Sequence, residues 1–477
     1  MKLRDMRTIA ASGLAALLGA CAVGPDYVRP TVAVPAAYKE MGDWKPAQPR
    51  DREPRGQWWT IFGDPLLNGL EERLDISNQN LAQAEAQFRQ ARALVESARA
   101  GYFPVLTAAV SSARSDRPSA AANGSGVSAG PVNTQSLSLD ASWEPDVWGR
   151  VRRTVEANQA NAQASAADLA AARLSAQAEL AQDYLQLRAL DSQKRLLDDT
   201  VAEYRKSLQI TRNRYASGVA AEADVVQAQT QLKTTQAQGI DLGVQRAQTE
   251  HAIALLVGAP ASTFSIAPAP LAAVPPAIPL GVPSQLLERR PDIAAAERRV
   301  AAANAQIGVA RSAFFPAATL SASGGFQSSS LSRWLSLPNR VWSVGPAIAA
   351  TLFDGGLRRA QTDQALAAYD ANVAAYRQTV LTGFQEVEDN LAALRILAQE
   401  AEVQDQALEA ARRSVVLTSN QYKAGTVSYL NVVTVQTAAL SSERTAVDIL
   451  GRRLVASVLL VKALGGAWRA PAPGGSE

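Results

Sequence analysis

The chain has 477 residues, with 47 Lys and Arg against 44 Asp and Glu and a net charge of +3, so no strong basic field points to nucleic acid. One cysteine, Cys21, and one histidine, His251, exclude an internal disulfide and argue against a Cys/His metal centre or a His-based catalytic triad. Aromatic residues make up only 6%, and long stretches are dominated by Ala, Gln, Leu and Arg, which suits extended helices better than one thick globular core.

The N-terminus reads as an export signal. Lys2, Arg4 and Arg7 form a basic region, and Ile9 to Ala20 is a short apolar stretch. It ends in Leu18-Gly19-Ala20-Cys21, which looks like a bacterial lipobox, so residues 1–20 are expected to be removed and Cys21 to carry the lipid. The alternative is an ordinary secretory signal with Cys21 a free thiol. Ala22 follows, rather than the Asp of an inner-membrane retention signal, so outward sorting is favoured. Residues 21–64 then read as a lipid-anchored, extended N-terminal segment. No later stretch reaches the 18 apolar residues of a membrane helix, and the run Leu454 to Leu464 is short and contains Lys462. Further contact with a bilayer must use strands or the surface.

From about residue 65 to 101 the pattern is helical, and Tyr102-Phe103-Pro104 ends it, because proline disfavours helix in the residue before it. Strand-like segments follow. Leu137, Leu139, Ala141 and Trp143 alternate with Ser138, Asp140, Ser142 and Glu144, a period of two. The Ser/Ala/Gly-rich stretch Ser115 to Thr134 reads as the exposed loop joining the first strand pair. After Gly149-Arg150 a helical pattern runs for roughly 65 residues, roughly 100 Å at 1.5 Å per residue. Leu197, Val201, Tyr204, Leu208, Thr211 and Tyr215 are spaced alternately by four and three, a coiled-coil seam. Gly218 stops this helix, as glycine does where the chain must turn left-handed, and a return helix covers about 221–257. His251 lies in it as a helix-surface residue.

A Pro/Ala-rich stretch from Ala259 reads as a linker along the outside, and the series of elements then starts again. At an offset of 212 residues, Ala82, Ala84, Glu85, Arg99, Phe103 and Pro104 meet identical residues at 294, 296, 297, 311, 315 and 316. Later the offset is 207, pairing Tyr215 with Tyr422, Gly218 with Gly425, Val225-Val226 with Val432-Val433, and Gly258 with Gly465. Thr319, Ser321 and Ser323 alternate with Leu320, Ala322 and Phe326, and a partner strand places Trp342, Val344, Ile348 and Leu352 on one face. Pro346 interrupts that strand and weakens it as a central one. A weaker seam of Leu408, Ala411, Val415, Thr418 and Tyr422 leads to Gly425, and a second return helix covers 428–464.

The organisation expected is therefore a mixed α and β membrane protein with an internal two-fold repeat. Residues 65–258 form repeat 1, 259–290 the linker, 291–465 repeat 2, and 466–477 a tail. Each repeat supplies two strands and the chain supplies four. Strands in lipid must form a closed barrel. Membrane barrels start at about eight strands, so two or three copies of the chain must share one, and periodicity does not choose between them.

Several motifs in this order resemble the outer-membrane factor family, the TolC-like channels, and its lipoprotein branch serving resistance–nodulation–division pumps. They are Cys21-Ala22-Val23-Gly24-Pro25-Asp26-Tyr27, Trp58 to Leu66, Trp143 to Arg150, Arg289-Arg290-Pro291-Asp292-Ile293 and Leu352-Phe353-Asp354-Gly355-Gly356. The resemblance covers nearly everything from Cys21 to Gly466. It implies a homotrimer in the outer membrane, a twelve-stranded transmembrane barrel and a long periplasmic α-helical barrel. It also implies docking to a periplasmic adaptor protein and a proton-driven inner-membrane transporter. The chain would be a passive exit duct for drugs or other small molecules, with no catalytic residue, cofactor or metal.

The resemblance further implies a periplasmic gate at the helix turns, Arg214 to Asp224 and Gln421 to Thr434. Tyr422 and Leu430 match constriction positions, Asp224 matches an acidic position of the first turn, and Asn431 stands opposite it in the second. Thr434 departs from the acidic residue common there, which puts an acidic ring in doubt. Seam packing and helix capping are the plainer roles of Tyr215, Tyr422, Gly218 and Gly425. Alternatives left open are a duct for protein secretion, a cell-wall enzyme on a lipid anchor, and a structural coiled-coil lipoprotein.

Overall fold

A computed structural model of the chain describes residues 23–41, 56–115, 131–276, 278 and 289–466. Cys21 and the signal segment lie outside the described residues, as does most of the loop between the first two strands. The elements are α1 (Pro65–Ser77), α2 (Gln79–Ala100), β1 (Val105–Ser115), β2 (Val132–Trp143), α3 (Arg150–Ala216) and α4 (Glu222–Leu256). They continue with α5 (Pro291–Ser312), β3 (Ala317–Ser328), β4 (Arg340–Ala349), α6 (Leu357–Lys423) and α7 (Tyr429–Ala463). Helix lengths come in matching pairs: 22 residues in α2 and α5, 67 in α3 and α6, and 35 in α4 and α7. No described helix is long and apolar enough to cross a membrane.

The helix expected over 65–101 is two helices. Asn78 divides them, because its backbone closes one helix and its side chain opens the next. Its backbone N–H donates to Leu74 O and closes α1, while its Oδ1 accepts from the amides of Asn80 and Leu81 at 2.9 and 3.0 Å and opens α2. Its Nδ2 donates to Leu256 O at 2.8 Å, so the break is also pinned to the end of α4.

The chain forms two compact units. The first comprises residues 1–31, 88–165 and 296–376 and holds the sheet. The strand order is β1-β2-β3-β4, all antiparallel. Pro346 does lie within a strand, but β4 has a strand neighbour on one side only among the described residues, and an edge tolerates the missing donor. Leu352 falls beyond its end.

The register sorts the side chains onto two faces. One row reads Leu106, Ala141, Ala322, Val344, the next Ala108, Leu139, Gly324, Trp342, and the next Val110, Leu137, Phe326, Arg340. Alternating with these on the other face are Thr107, Asp140, Ser323, Ser343 and then Ala109, Ser138, Gly325, Val341. The apolar face is exposed, with Leu106 at 70%, Trp342 at 70% and Ile348 at 76%. Hydroxyls pair across the other face: Ser111 with Ser136 at 2.6 Å and Ser323 with Ser343 at 2.9 Å.

Residues 23–29 strap onto the helices of the same unit. Gly24 passes so close to Gly308 that a Cβ on either would collide with the other segment's backbone. Arg153, buried, donates to Val23 O, Gly24 O and Asp26, and Tyr27 OH donates to the buried Glu297 at 2.5 Å.

The second unit falls within 32–87, 166–295 and 377–477, and its described elements are helices. Ile266 to Leu271 lie beside α3 and α4, and their backbone groups are met by side chains. Arg188 donates to Ala267 O, Arg246 to Ile266 O, and Asp191 and Ser192 accept from the amides of Ala269 and Leu271.

Candidate functional site

The two helix turns of the second unit are built alike. At the end of α3, Gly218 sits at φ +72°, its N–H donating to Tyr215 O while Val219 N–H donates to Arg214 O at 2.9 Å. At the end of α6, Gly425 sits at φ +79°, with Gly425 N–H on Tyr422 O and Thr426 N–H on Gln421 O, both at 3.0 Å. These paired bonds are the Schellman closure, in which the left-handed residue satisfies the last carbonyls of the helix. It turns the chain within a few residues, so α4 and α7 return alongside.

One apolar cluster joins the two turns. Val201, Tyr204 and Leu208 from α3 meet Ala228 and Leu232 from α4, and Tyr422, Tyr429 and Val432 from α6 and α7. The seam of α3 is buried from Leu197 to Thr211, but Tyr215 leaves it and is 47% exposed. Tyr422 is buried, edge-on to Tyr429 with ring centroids 5.3 Å apart. The guanidinium of Arg214 lies 4.7 Å over the Tyr422 ring and donates to Lys423 O at 3.1 Å. The phenol of Tyr429 shares a hydrogen bond with Ser207 at 3.0 Å, and burial raises its pKa.

Beside this cluster is a recess of about 340 Å³ lined by Arg214, Val219, Asp224, Tyr422, Thr426 and Ser428. The Tyr422 hydroxyl and Arg214 Nε are buried without hydrogen-bond partners. Asp224 is half-buried in the first turn of α4, where Glu222 adds a second acid; the first turn of α7 has none. Acids there interact favourably with the helix N-terminus. Leu430, Asn431 and Thr434 are exposed on α7, and the Thr434 hydroxyl donates back to Leu430 O at 2.9 Å.

The structure thus brings Asp224 and Tyr422 to one recess and leaves Leu430, Asn431 and Thr434 exposed on α7. Ser207 lies outside the turns named from the sequence, and the contact of Arg214 with Tyr422 was not legible there: the two are 208 positions apart, and no periodicity links them. A larger polar recess of about 590 Å³ lies further along the same helices, lined by Gln186, Gln193, Gln231, Gln238 and Gln245 among others. Among the described residues no group of three or more His, Cys, Asp or Glu is placed to hold a metal ion. His251 is exposed on α4.

Comparison with known proteins gives a consistent answer. The family described as Outer membrane efflux protein matches residues 71–259 and 282–466. The pyoverdine export outer membrane protein OpmQ of Pseudomonas aeruginosa is 33% identical over 476 residues, covering 98% of this chain and 99% of that one. The probable efflux pump outer membrane protein TtgC of Pseudomonas putida is 31% identical over 456 residues, covering 95% and 94%. Among solved structures, the outer-membrane channel OprN is similar with a TM-score of 0.86 at 33% identity, over 94% of this chain and 99% of that one.

Proposed function

The chain belongs to the outer membrane efflux protein family, and from that premise we propose that it is one subunit of a three-chain exit duct in a tripartite efflux system. The observation that carries this is the two-faced sheet. Its exposed apolar face spans five rows from Ile348 to Val110, eight residue steps along β4, or roughly 27 Å of strand at about 3.4 Å per residue. Tilted as barrel strands are, that approaches the apolar band of about 25 Å typical of outer-membrane barrels. Beyond it, Ser112, Gln135 and Arg114 mark a polar rim on the same face.

A four-stranded sheet with two open edges has no stable place in lipid, because nothing there replaces the missing hydrogen bonds. Three copies supply twelve strands and close it. The hydroxyl face then lines a water-filled lumen, and solutes cross passively while an inner-membrane resistance–nodulation–division transporter, reached through a periplasmic adaptor, supplies the energy. The chain is read as two copies of one helix–strand–strand–helix unit, 65–258 and 291–465, joined by the linker 259–290. The matched helix lengths and the two stretches of family similarity support that reading. Residues 1–20 are read as the signal peptide, with Cys21 lipid-modified and holding residues 21–64 to the membrane.

The helix turns are read as the resting closure of the periplasmic end. Exposed Leu430, Asn431 and Thr434 face the neighbouring copies, and the Arg214–Tyr422–Asp224 recess ties the two turns within each chain. Reconstituted in a planar bilayer, the purified chain is expected to give discrete conductance steps. Leu430→Ala and Asp224→Asn are each expected to raise the resting conductance. Absence of any channel would remove the duct assignment, and unchanged conductance in both variants would remove only the gate.

A further inference from the structure

Among the 45 residues of the four strands there is one carboxylate, Asp140, and the only other charged side chains are Arg114 and Arg340. Both arginines share the apolar face and lie at the loop ends of β1 and β4. Asp140 is different. It lies three residues inside the end of β2, level with Thr107, Ser323 and Ser343, and between the apolar rows of Leu106 and Leu139. Its place along the strand is therefore inside the membrane band, while its parity puts it on the hydroxyl face.

A charged side chain aimed at lipid at that depth is strongly disfavoured, so the face that carries it must be the wet one. Ser138 donates to Asp140 Oδ2 at 2.7 Å, which holds the carboxylate over the hydroxyl face, and no basic side chain of the strands is on that face to offset it. The neighbouring acids lie beyond the end of β2 and are held by α3. Glu144 is bound by Arg150 at 2.8 Å, and Asp146 accepts the amides of Val151 and Arg152 at the start of α3.

We infer that Asp140 is the charge-selecting residue of the transmembrane lumen, three copies forming a ring of carboxylates that favours cationic over anionic solutes. This rests on the three-chain barrel proposed above. Rings of like charge bias permeation through the field they set up in the lumen, and that field fades as salt screens it.

The test is the reversal potential of open-channel events of the full chain across a salt gradient in a planar bilayer. The parent is expected to favour potassium over chloride. Asp140→Asn is expected to lower the permeability ratio by about twofold near 0.1 M salt, and Asp140→Lys to lower it further. Both effects should shrink near 1 M, where the screening length falls to about 3 Å. Treating Asp140→Cys with a sulfonate-bearing thiol reagent should restore the cation preference, and a trimethylammonium reagent should oppose it. Leu139→Cys, on the other face, should respond to neither. Channels whose reversal potential is the same for the parent, Asp140→Asn and Asp140→Lys would overturn the inference while leaving the duct intact. Loss of all conductance in the parent would instead remove the barrel on which it rests.

Discussion

Glu71, on α1, has 0% exposure, and neither of its carboxyl oxygens has a hydrogen-bond partner. Burial, reinforced by Asp75 one turn away, pushes its pKa up to about 9 from 4.5. Between those two values the folded chain keeps a proton that the unfolded chain has lost, so the group's contribution to stability falls as pH rises from about 4.5 to about 9. Glu71→Gln keeps the shape and cannot ionise. Its melting temperature should match the parent near pH 4.5 and exceed it increasingly towards pH 9. A difference that does not change between about pH 4.5 and about pH 9 would show that the carboxyl is not held protonated in the folded chain. The Tyr422 hydroxyl is a second buried group without a partner, but its ring is held by Tyr429 and Arg214, so its position rests on ring contacts and not on the oxygen.

Among the elements, the junction of α1 and α2 shows how one residue can set a boundary. Asn78 ends one helix, starts the next and reaches the last turn of α4. Asn78→Ala removes the cap and leaves the buried Leu256 carbonyl without that donor. A loss of about 1–2 kcal/mol is expected from the cap, with a further loss from the unpaired carbonyl. Thermal melts should show Asn78→Ala falling well below the parent and Asn78→Ser, which keeps a capping oxygen, falling less. Equal melting temperatures for all three would mean the break is held by packing alone. The long helices differ in kind: the α3 seam is buried as far as Thr211 by apolar side chains at coiled-coil spacing, and the turns that end α3 and α6 are closed by backbone bonds around a left-handed glycine.

For the whole molecule, the open edges of the sheet make the next prediction. With four antiparallel strands, β4 runs opposite to β1, so β4 of one copy meets β1 of the next in the same antiparallel sense. Facing Cα atoms in such a pair come within disulfide range. A cysteine at Ala109 of β1, combined in one chain with a cysteine scanned over the whole of β4, Arg340–Ala349, should give a covalent trimer on oxidation for at least one pairing. A ladder that stops at the dimer would indicate eight strands, and monomer throughout would refute edge-to-edge closure. The chain has only Cys21 of its own, so new cross-links are simple to assign.

Backbone periodicity, strand alternation and glycine stops are local properties, and they were legible directly. The serine–leucine alternation of β2 and the four–three spacing in α3 depend only on how a strand or helix points successive side chains. For the same reason β2, β3 and the long helices could be read from residue spacing, whereas β1 shows no such alternation and Pro346 interrupts that of β4. What the tertiary structure decided is which residues meet. Arg214 on Tyr422, Asn78 on Leu256 and the row Thr107, Asp140, Ser323, Ser343 join positions up to 236 residues apart. Such partners are set by packing and by strand register, and a register shift of one residue would move every side chain of a strand to the other face. Local spacing therefore specified the long helices and the two faces of β2 and β3. Only the folded sheet put Asp140 on a face with no basic partner, and only the folded helices put Tyr422 under Arg214.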